Sequence, residues 1–576
     1  MNKLAPALAV ILLHLACSCA ARSFLDDFLF TMREILHKFE EERVGPNIVL
    51  EKDDFVVSVD SVKRLIALHD DGARCSSVCE AALIRYVSKN GLPFHTLDKV
   101  IRDIYGDEIS EDPYTPQEIH LALHTESTGM NVMWVTMEEL ENPLVQFMPV
   151  SAGQSEEDWD SAKSSNAASS TYSVPKKWWP VFTGRIYSAD MLDLEHSSQY
   201  VYRVGGYSPA NATMRYSETF TFTAKPVIDK NKPTTVATLA DHGTFELLGF
   251  KTVDKLVEYY SSGESSQHYD YVHVSGDLSY AGLSTSFEPL GIDKEDEFEH
   301  IWDLLGVQNQ PVAARVPWMV TDGNHERFYD WAAYKARFTM PTNTLEKDGY
   351  ESHGNFWYSY QYGNAQWISL DSEADLDEGS PQITFLKTAL EKANANRASI
   401  PWVVVTLHKP LYCSMEGTPS GYADKLETIL NGNGVDLVFT GHMHGYERIH
   451  PVQQGQVLVK PGTLPLGEGG AAVDVYSPEG KGPVLIMQGN GGGMQGERFE
   501  QPQPAWSAFR CSEGHCASEA DVEVDMVESH SDYQYSDTFG FGMVTFANAT
   551  HMQYRNIPVT GTIGYDEFWI VKNEEE

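Results

Sequence analysis

From Val227 onward, five apolar runs of this chain each stop on residues able to bind a metal. They read "TTVATLADHG", "YVHVSGDLSYA", "VPWMVTDGNHE", "WVVVTLHKP" and "VDLVFTGHMHG", and they end at Asp241, Asp277, Asn324, His408, and His442 with His444. Each run has the β-branched and aromatic composition of a strand buried on both faces. A single polar ending is ordinarily a turn residue. Five in one region point to a site, because α/β folds gather functional residues at the carboxyl ends of neighbouring strands. Gly243, Gly276, Gly323 and Gly441 stand beside these endings, where the missing Cβ permits a sharp turn and leaves room beside an ion.

Helical stretches separate the runs. "LLGFKTVDKLVEYYSS", "EDEFEHIWDLLGV", "PQITFLKTALEKANA" and "YADKLETILNGNG" carry apolar residues three and four apart, and the last ends in glycine, a favourable C-terminal cap. Strands alternating with helices predict an α/β domain over residues 227–576. Upstream the period is two: "IHLALH", "NVMWVTM", "YVYRVGG" and "ETFTFTA" alternate apolar and polar residues around a Ser-rich loop, "SEEDWDSAKSSNAASSTY". Short strands over residues 113–226 predict an all-β sandwich. Residues 22–112 show helical spacing in "FLDDFLFTMREILHKFEEER" and "SVKRLIALHDDGARCSSVCEAALIRYVSKNG" and no site chemistry, which predicts a helical N-terminal extension.

Residues 1–21 have the parts of a secretory signal: Lys3, the apolar "LAPALAVILLHLA" and the small-residue "CSCAA". No later run is long and apolar enough for a membrane-spanning helix. A secreted or luminal protein is expected, with glycans at Asn211 and Asn548, the heads of two Asn-Ala-Thr sequons. Beyond Cys17 and Cys19, the pairs Cys75/Cys79 and Cys511/Cys516 are spaced to close small loops, leaving Cys413 as a buried free thiol. Acidic residues outnumber basic ones 82 to 42, a formal charge of -40 that disfavours a nucleic-acid duplex or an anionic membrane as partner.

In order along the chain stand Asp241-His242-Gly243, Gly276-Asp277-Leu278-Ser279-Tyr280, Gly323-Asn324-His325-Glu326, Val405-Thr406-Leu407-His408 and Gly441-His442-Met443-His444. This series resembles the metallophosphoesterases, and among them the purple acid phosphatases, whose mark is the tyrosine after the second aspartate. The resemblance covers about residues 113 to 570 and extends to "YSYQYGNAQWISLDSE" and to "HKPLYCS", the latter closer to animal-type long forms. It implies a catalytic domain of two mixed sheets flanked by helices. It also implies that the sandwich is the fibronectin-like domain of the long forms. One metal would then take Asp241, Tyr280 and His444, a second Asn324, His408 and His442, with Asp277 bridging. Phenolate and carboxylate are hard ligands suited to iron(III), whereas two imidazoles and a neutral amide suit zinc, manganese or iron(II).

The implied activity is that of an acid phosphatase: hydrolysis of small phosphate monoesters by a metal-bound hydroxide, in a secreted protein or an acidic lumen such as a lysosome or vacuole. His325 either hydrogen-bonds the phosphate or the leaving group, or orients a ligand. Plant-type members carry histidines in the loop after the fourth block; here "YCSMEGTPSGY" has none, so His325 serves alone, or Glu416 or a water replaces the missing group. "GNGGGMQGE" lacks the Gly-Lys-Ser/Thr ending of a P-loop and reads as a turn after "PVLIMQ" that lies near the site in the family fold. Arg448 and His450 in "GYERIHP" read as an ion-paired arginine and a packed histidine. The alternatives are a phosphodiesterase or nucleotide-hydrolysing enzyme, and an inactive secreted glycoprotein keeping the fold; retention of all seven ligand residues argues against the latter. A homodimer is common in the long forms, but no pattern in the chain demonstrates one.

Overall fold

The computed structural model describes residues 49–52, 55–58, 112–150, 159–174, 182–244, 249–282, 299–464, 472–478, 480–493, 498–512, 515–518, 538–559 and 565–573. The signal-like segment, Cys75, Cys79 and the two stretches read as helices between residues 22 and 112 lie outside them. The described backbone in that extension is an antiparallel strand pair, Val49–Lys52 with Phe55–Ser58, lying between those two stretches. No helix of the described residues is long and apolar enough to cross a membrane.

Two sheets form the all-β domain. Gln117–Leu123, Met130–Thr136, Arg185–Met191 and Ala168–Ser170 make one, and Thr213–Tyr216, Gln199–Ser208, Glu141–Pro149 and Lys163–Asn166 the other, with Phe220–Thr223 pairing on Gln199–Ser208. Trp134 and Tyr187, whose rings stack 5.3 Å apart, share their core with Val145, Tyr202 and Phe220. The Ser-rich segment, expected to be a loop, contributes Lys163–Asn166 and Ala168–Ser170, one edge strand to each sheet. Both strands are largely exposed, so no apolar alternation marks them in the sequence.

Two eight-stranded mixed sheets build the α/β domain. In the first, Thr234–Leu239, Tyr271–Ser275 and Trp318–Thr321 run parallel. In the second, Trp402–Thr406, Leu437–Thr440 and Val484–Gln488 do the same. Helices Gly249–Ser262 and Glu299–Ala313 connect the first set; Pro381–Ala395 and Tyr422–Gly432 serve the second. Pro381–Ala395 starts where its sequence says it should: the Ser380 hydroxyl accepts from the Ile383 N–H at 3.2 Å and proline occupies the first turn. Phe328–Arg337 is a further helix that the apolar spacing did not announce.

The parallel strands of both sheets present their carboxyl ends to one edge, and polar contacts between the sheets fix that edge. Ser275 Oγ lies 2.8 Å from Thr406 Oγ1, Thr321 Oγ1 2.8 Å from Ser369 Oγ, and Thr238 Oγ1 donates to Gln488 Oε1 at 2.9 Å. All six residues are fully buried. Deeper, Arg448 pairs with Asp566 at 2.8 Å and Asp474 at 2.8 Å, and His450 Nδ1 meets the Tyr476 hydroxyl at 2.7 Å. Both residues therefore belong to the packing between sheets. Thr406→Val, which keeps the shape but leaves Ser275 Oγ buried without its partner, is expected to cost about 1–3 kcal/mol in denaturant unfolding; an unchanged midpoint would contradict this.

Candidate metal centre

The five strand endings converge. Asp241, Asp277 and Asn324 follow the three parallel strands of the first sheet, and His408, His442 and His444 follow two of the second. Ligand atoms of Asp277, His408 and His442 all lie within 4.8 Å of one another. Asp277 Oδ2 is 3.1 Å from His408 Nε2, which is 3.2 Å from His442 Nδ1. Beside this group the Tyr280 hydroxyl is 2.9 Å from Asp241 Oδ1 and 2.8 Å from His444 Nε2, and His444 Nε2 is 3.6 Å from the same Asp241 oxygen.

Local backbone explains how these side chains reach one point. Asp241, Asp277, Tyr280 and His442 all have positive φ, between 50° and 74°, a region that L-residues avoid and that the surrounding fold must enforce. A Cβ at Gly441 would lie 2.2 Å from Asp241 Oδ2, and one at Gly323 2.4 Å from Asp277 Oδ1. The glycine-rich turn after Val484–Gln488 packs against the same ligands: a Cβ at Gly493 would sit 2.9 Å from the His444 ring. That turn is a backing wall, not a phosphate loop.

The donor set fits cations. His408 Nδ1 lies 3.0 Å from the carbonyl of Ser275, which fixes it as a donor and turns Nε2 toward Asp277. Asp241 Oδ2 accepts the His442 N–H at 2.8 Å, and Asp277 Oδ1 the His325 N–H at 2.9 Å, orienting both carboxylates. Asn324 Oδ1 is buried without a hydrogen-bond partner, an orphaned acceptor of the kind a cation satisfies. His325 Nδ1 is likewise unpartnered; its ring lies 4.4 Å from that of Tyr280 and its Nε2 4.0 Å from Asp277 Oδ2.

Electrostatics couples these groups. Burial favours a neutral Asp277, but the imidazoles of His408, His325 and His442 outweigh it and hold its carboxyl well below the usual range. Burial opposes charge on His408, yet Asp277 and Asp241 push its pKa up to about 10. Burial and the neighbouring His408 charge lower His442 to about 4. Burial, then Asp241 and Asp277, raise the Tyr280 phenol well above its ordinary value.

One contributor carried no role in the sequence reading. Glu326, fully enclosed at 1% exposure, accepts the backbone N–H groups of Asp277 and Gly323 with Oε2, at 2.9 and 2.8 Å, and that of Leu278 with Oε1 at 2.8 Å. It ties the second motif to the third. Its signal was a carboxylate beside a buried strand end, where only N–H donors make such a group tolerable.

Comparison with known proteins agrees in order and extent. Residues 116–224 match the "Purple acid Phosphatase, N-terminal domain" family, 234–446 the "Calcineurin-like phosphoesterase" family and 482–564 the "Iron/zinc purple acid phosphatase-like protein C" family. The chain belongs to the purple acid phosphatases. "Probable purple acid phosphatase 20" of Arabidopsis thaliana is 29% identical over 458 residues, 77% of this chain and 84% of that one. "Acid phosphatase type 7" of Mus musculus is 26% identical over 494 residues, 80% of this chain and 91% of that one. In fold, the chain is similar to purple acid phosphatase PPD1 from yellow lupin seeds, with a TM-score of 0.62 at 21% identity, over 81% of this chain and 76% of that one. It is thus a phosphatase hydrolase of a binuclear metallohydrolase family.

Two measurements follow for this purple acid phosphatase. Tyr280 is neutral and His408 protonated in the metal-free protein, so metal binding through these two residues would displace both protons and its affinity would fall with acid. Full loading at pH 7 should release about two protons, read by calorimetry in buffers of different ionisation enthalpy; no release would contradict the assignment. Glu326→Gln turns one of the two acceptor oxygens into a donor set against a backbone N–H, and should weaken metal retention by about 10–100-fold, measured as metal content after dialysis against chelator.

Proposed function

We propose that this protein is a secreted or luminal acid phosphatase that hydrolyses small phosphate monoesters at a binuclear centre. The observation that carries the proposal is the paired donor set: Asp241, Tyr280 and His444 on one side, Asn324 with its orphaned oxygen, His408 and His442 on the other, and Asp277 between them. Two bound cations would supply positive charge for the phosphate oxygens and acidify a water. Iron(III) suits the tyrosine side and a divalent zinc, manganese or iron(II) the histidine side.

The chain's own residues do the rest. Asn324 offers an oxygen without adding a negative charge. His325, close to both halves of the site and with Nδ1 unpartnered, is placed to hold a phosphate oxygen or the leaving group. No described residue of the loop after His408 is a histidine, and Glu416 there is exposed, so His325 is the stronger candidate for that contact. Export is supported by the signal-like N-terminus and by the Cys511–Cys516 disulfide, which suits an oxidising compartment, while Cys413 stays a buried thiol. Asn211 stands exposed in a turn and suits a glycan. Asn548 is half-buried, with its side-chain oxygen accepting from the Thr550 N–H at 2.9 Å, and is the poorer acceptor.

The test is a pH-rate profile with p-nitrophenyl phosphate on secreted, metal-loaded protein, beside a variant carrying His442→Ala and His444→Ala. Strong activity on the acid side, lost by at least about a thousandfold in the variant, is the expected outcome. A metal-filled wild type that leaves the monoester intact but cleaves a bis-aryl diester would replace this reading with a phosphodiesterase.

A further inference from the structure

The all-β domain packs against Glu299–Ala313 and the strand Trp318–Thr321, and it also reaches the metal-site loop through a further helix. Phe328–Arg337 begins two residues after Glu326, and its last residue, Arg337, is buried at 5% exposure against the other domain. Arg337 Nη1 donates to Glu118 Oε2 at 2.9 Å, Nη2 to Asp303 Oδ1 at 2.6 Å and Nε to the Tyr172 hydroxyl at 3.0 Å. Its guanidinium also lies 4.5 Å from the centre of the Phe182 ring. Tyr172 in turn donates to Glu299. Glu118, Tyr172 and Phe182 come from the all-β domain; Asp303 and Glu299 lie on Glu299–Ala313.

This anchor is built rather than incidental. Glu118 takes a positive φ of 59° where the pairing register shifts between Gln117 and His120. Opposite it stands Gly306, where a Cβ would fall 2.5 Å from Glu118 Cγ. An ordinary strand residue facing an ordinary helix residue could not place a carboxylate here.

The other end of the helix is held just as firmly. A Cβ at Gly282, two residues past Tyr280, would fall 1.9 Å from the Phe328 ring. Between the two anchors, Tyr329, Asp330 and Trp331 are left-handed in succession, with φ of 51°, 60° and 55°. Three such L-residues in a row persist only where both ends are fixed. His325 and Asn324 sit immediately upstream of this turn.

We propose that Glu118 is a positioning residue for the metal-site loop: by anchoring Arg337 it maintains the left-handed turn at 329–331, and through it the placement of Asn324 and His325. The all-β domain is then part of the hydrolase's working structure. The activity arm of the test rests on the phosphatase reading; the exchange arm does not.

The experiment compares full-length, metal-loaded wild type with Glu118→Ala and Glu118→Gln, the latter keeping an acceptor oxygen for Arg337. In Glu118→Ala, amide hydrogen exchange over residues 327–333 should quicken by about tenfold or more, while Thr234–Leu239 and Trp402–Thr406 exchange as in wild type. The value of kcat for p-nitrophenyl phosphate per bound metal should fall, and Glu118→Gln should restore much of both. Should Glu118→Ala fail to fold, Glu118→Gln carries the same comparison at smaller amplitude. Wild-type exchange at 327–333 in Glu118→Ala, or in Glu118→Gln where that variant has to stand in for it, overturns the proposal, and so does an acceleration spread evenly over the strands. A wild type inactive on every ester would overturn the phosphatase reading alone.

Discussion

The centre depends on the hydrogen bonds that cross between the two sheets just beneath it. Ser275 lies two residues before Asp277, Thr406 two before His408, Thr321 three before Asn324 and Thr238 three before Asp241. Each of these groups is buried and paired across the gap. A strand that slipped by one residue would turn its hydroxyl away and leave two polar groups unsatisfied, at a cost far above that of a lost apolar contact. Register within the sheets and separation between them are thereby locked together, and the side chains of the candidate centre inherit both. The positive-φ residues at Asp241, Asp277, Tyr280 and His442 can be held against their own preference because the strands that deliver them cannot shift.

The same rigidity decides what the site does without cations. Asp277 and His408 form a buried pair that is self-consistent, the carboxylate lowered and the imidazole raised by each other. Such a pair tolerates burial only while complete. A cation held by these residues would exchange one internal neutralisation for another, with His408 giving up its second proton. Glu326 holds the backbone of both motifs through this exchange, because its three N–H contacts are to the main chain of Asp277, Leu278 and Gly323.

How much of this was legible in the sequence follows from what each feature demands locally. A buried parallel strand is a continuous apolar run, so the five endings stood out as polar residues with no local reason to be there. The α/β alternation was visible for the same cause, since the helices Pro381–Ala395 and Tyr422–Gly432 carry clear spacing and end signals. Phe328–Arg337 was not, because its first turn is left-handed and breaks the 3.6-residue spacing. Edge strands at 163–166 and 168–170 were hidden by their exposure, which removes the alternation that would have betrayed them. Glu118, Gly306 and Arg337 each look like ordinary surface or helix residues alone; only three-dimensional contact shows that they form one device.

Composition bears on the chemistry as well as on the fold. With a formal charge of -40 at pH 7, the protein as a whole repels a phosphate dianion over roughly a Debye length, about 8 Å at physiological ionic strength. A site holding two cations reverses that field only locally, so a substrate has to cross a repulsive zone before it is attracted. Acid relieves the repulsion twice, by protonating surface carboxylates and by converting the ester toward its monoanion. The field around this hydrolase thus biases it toward low pH independently of any group in the centre itself. Added salt, which screens the outer field more than the buried one, should act in the same direction near neutrality and have little left to do in acid.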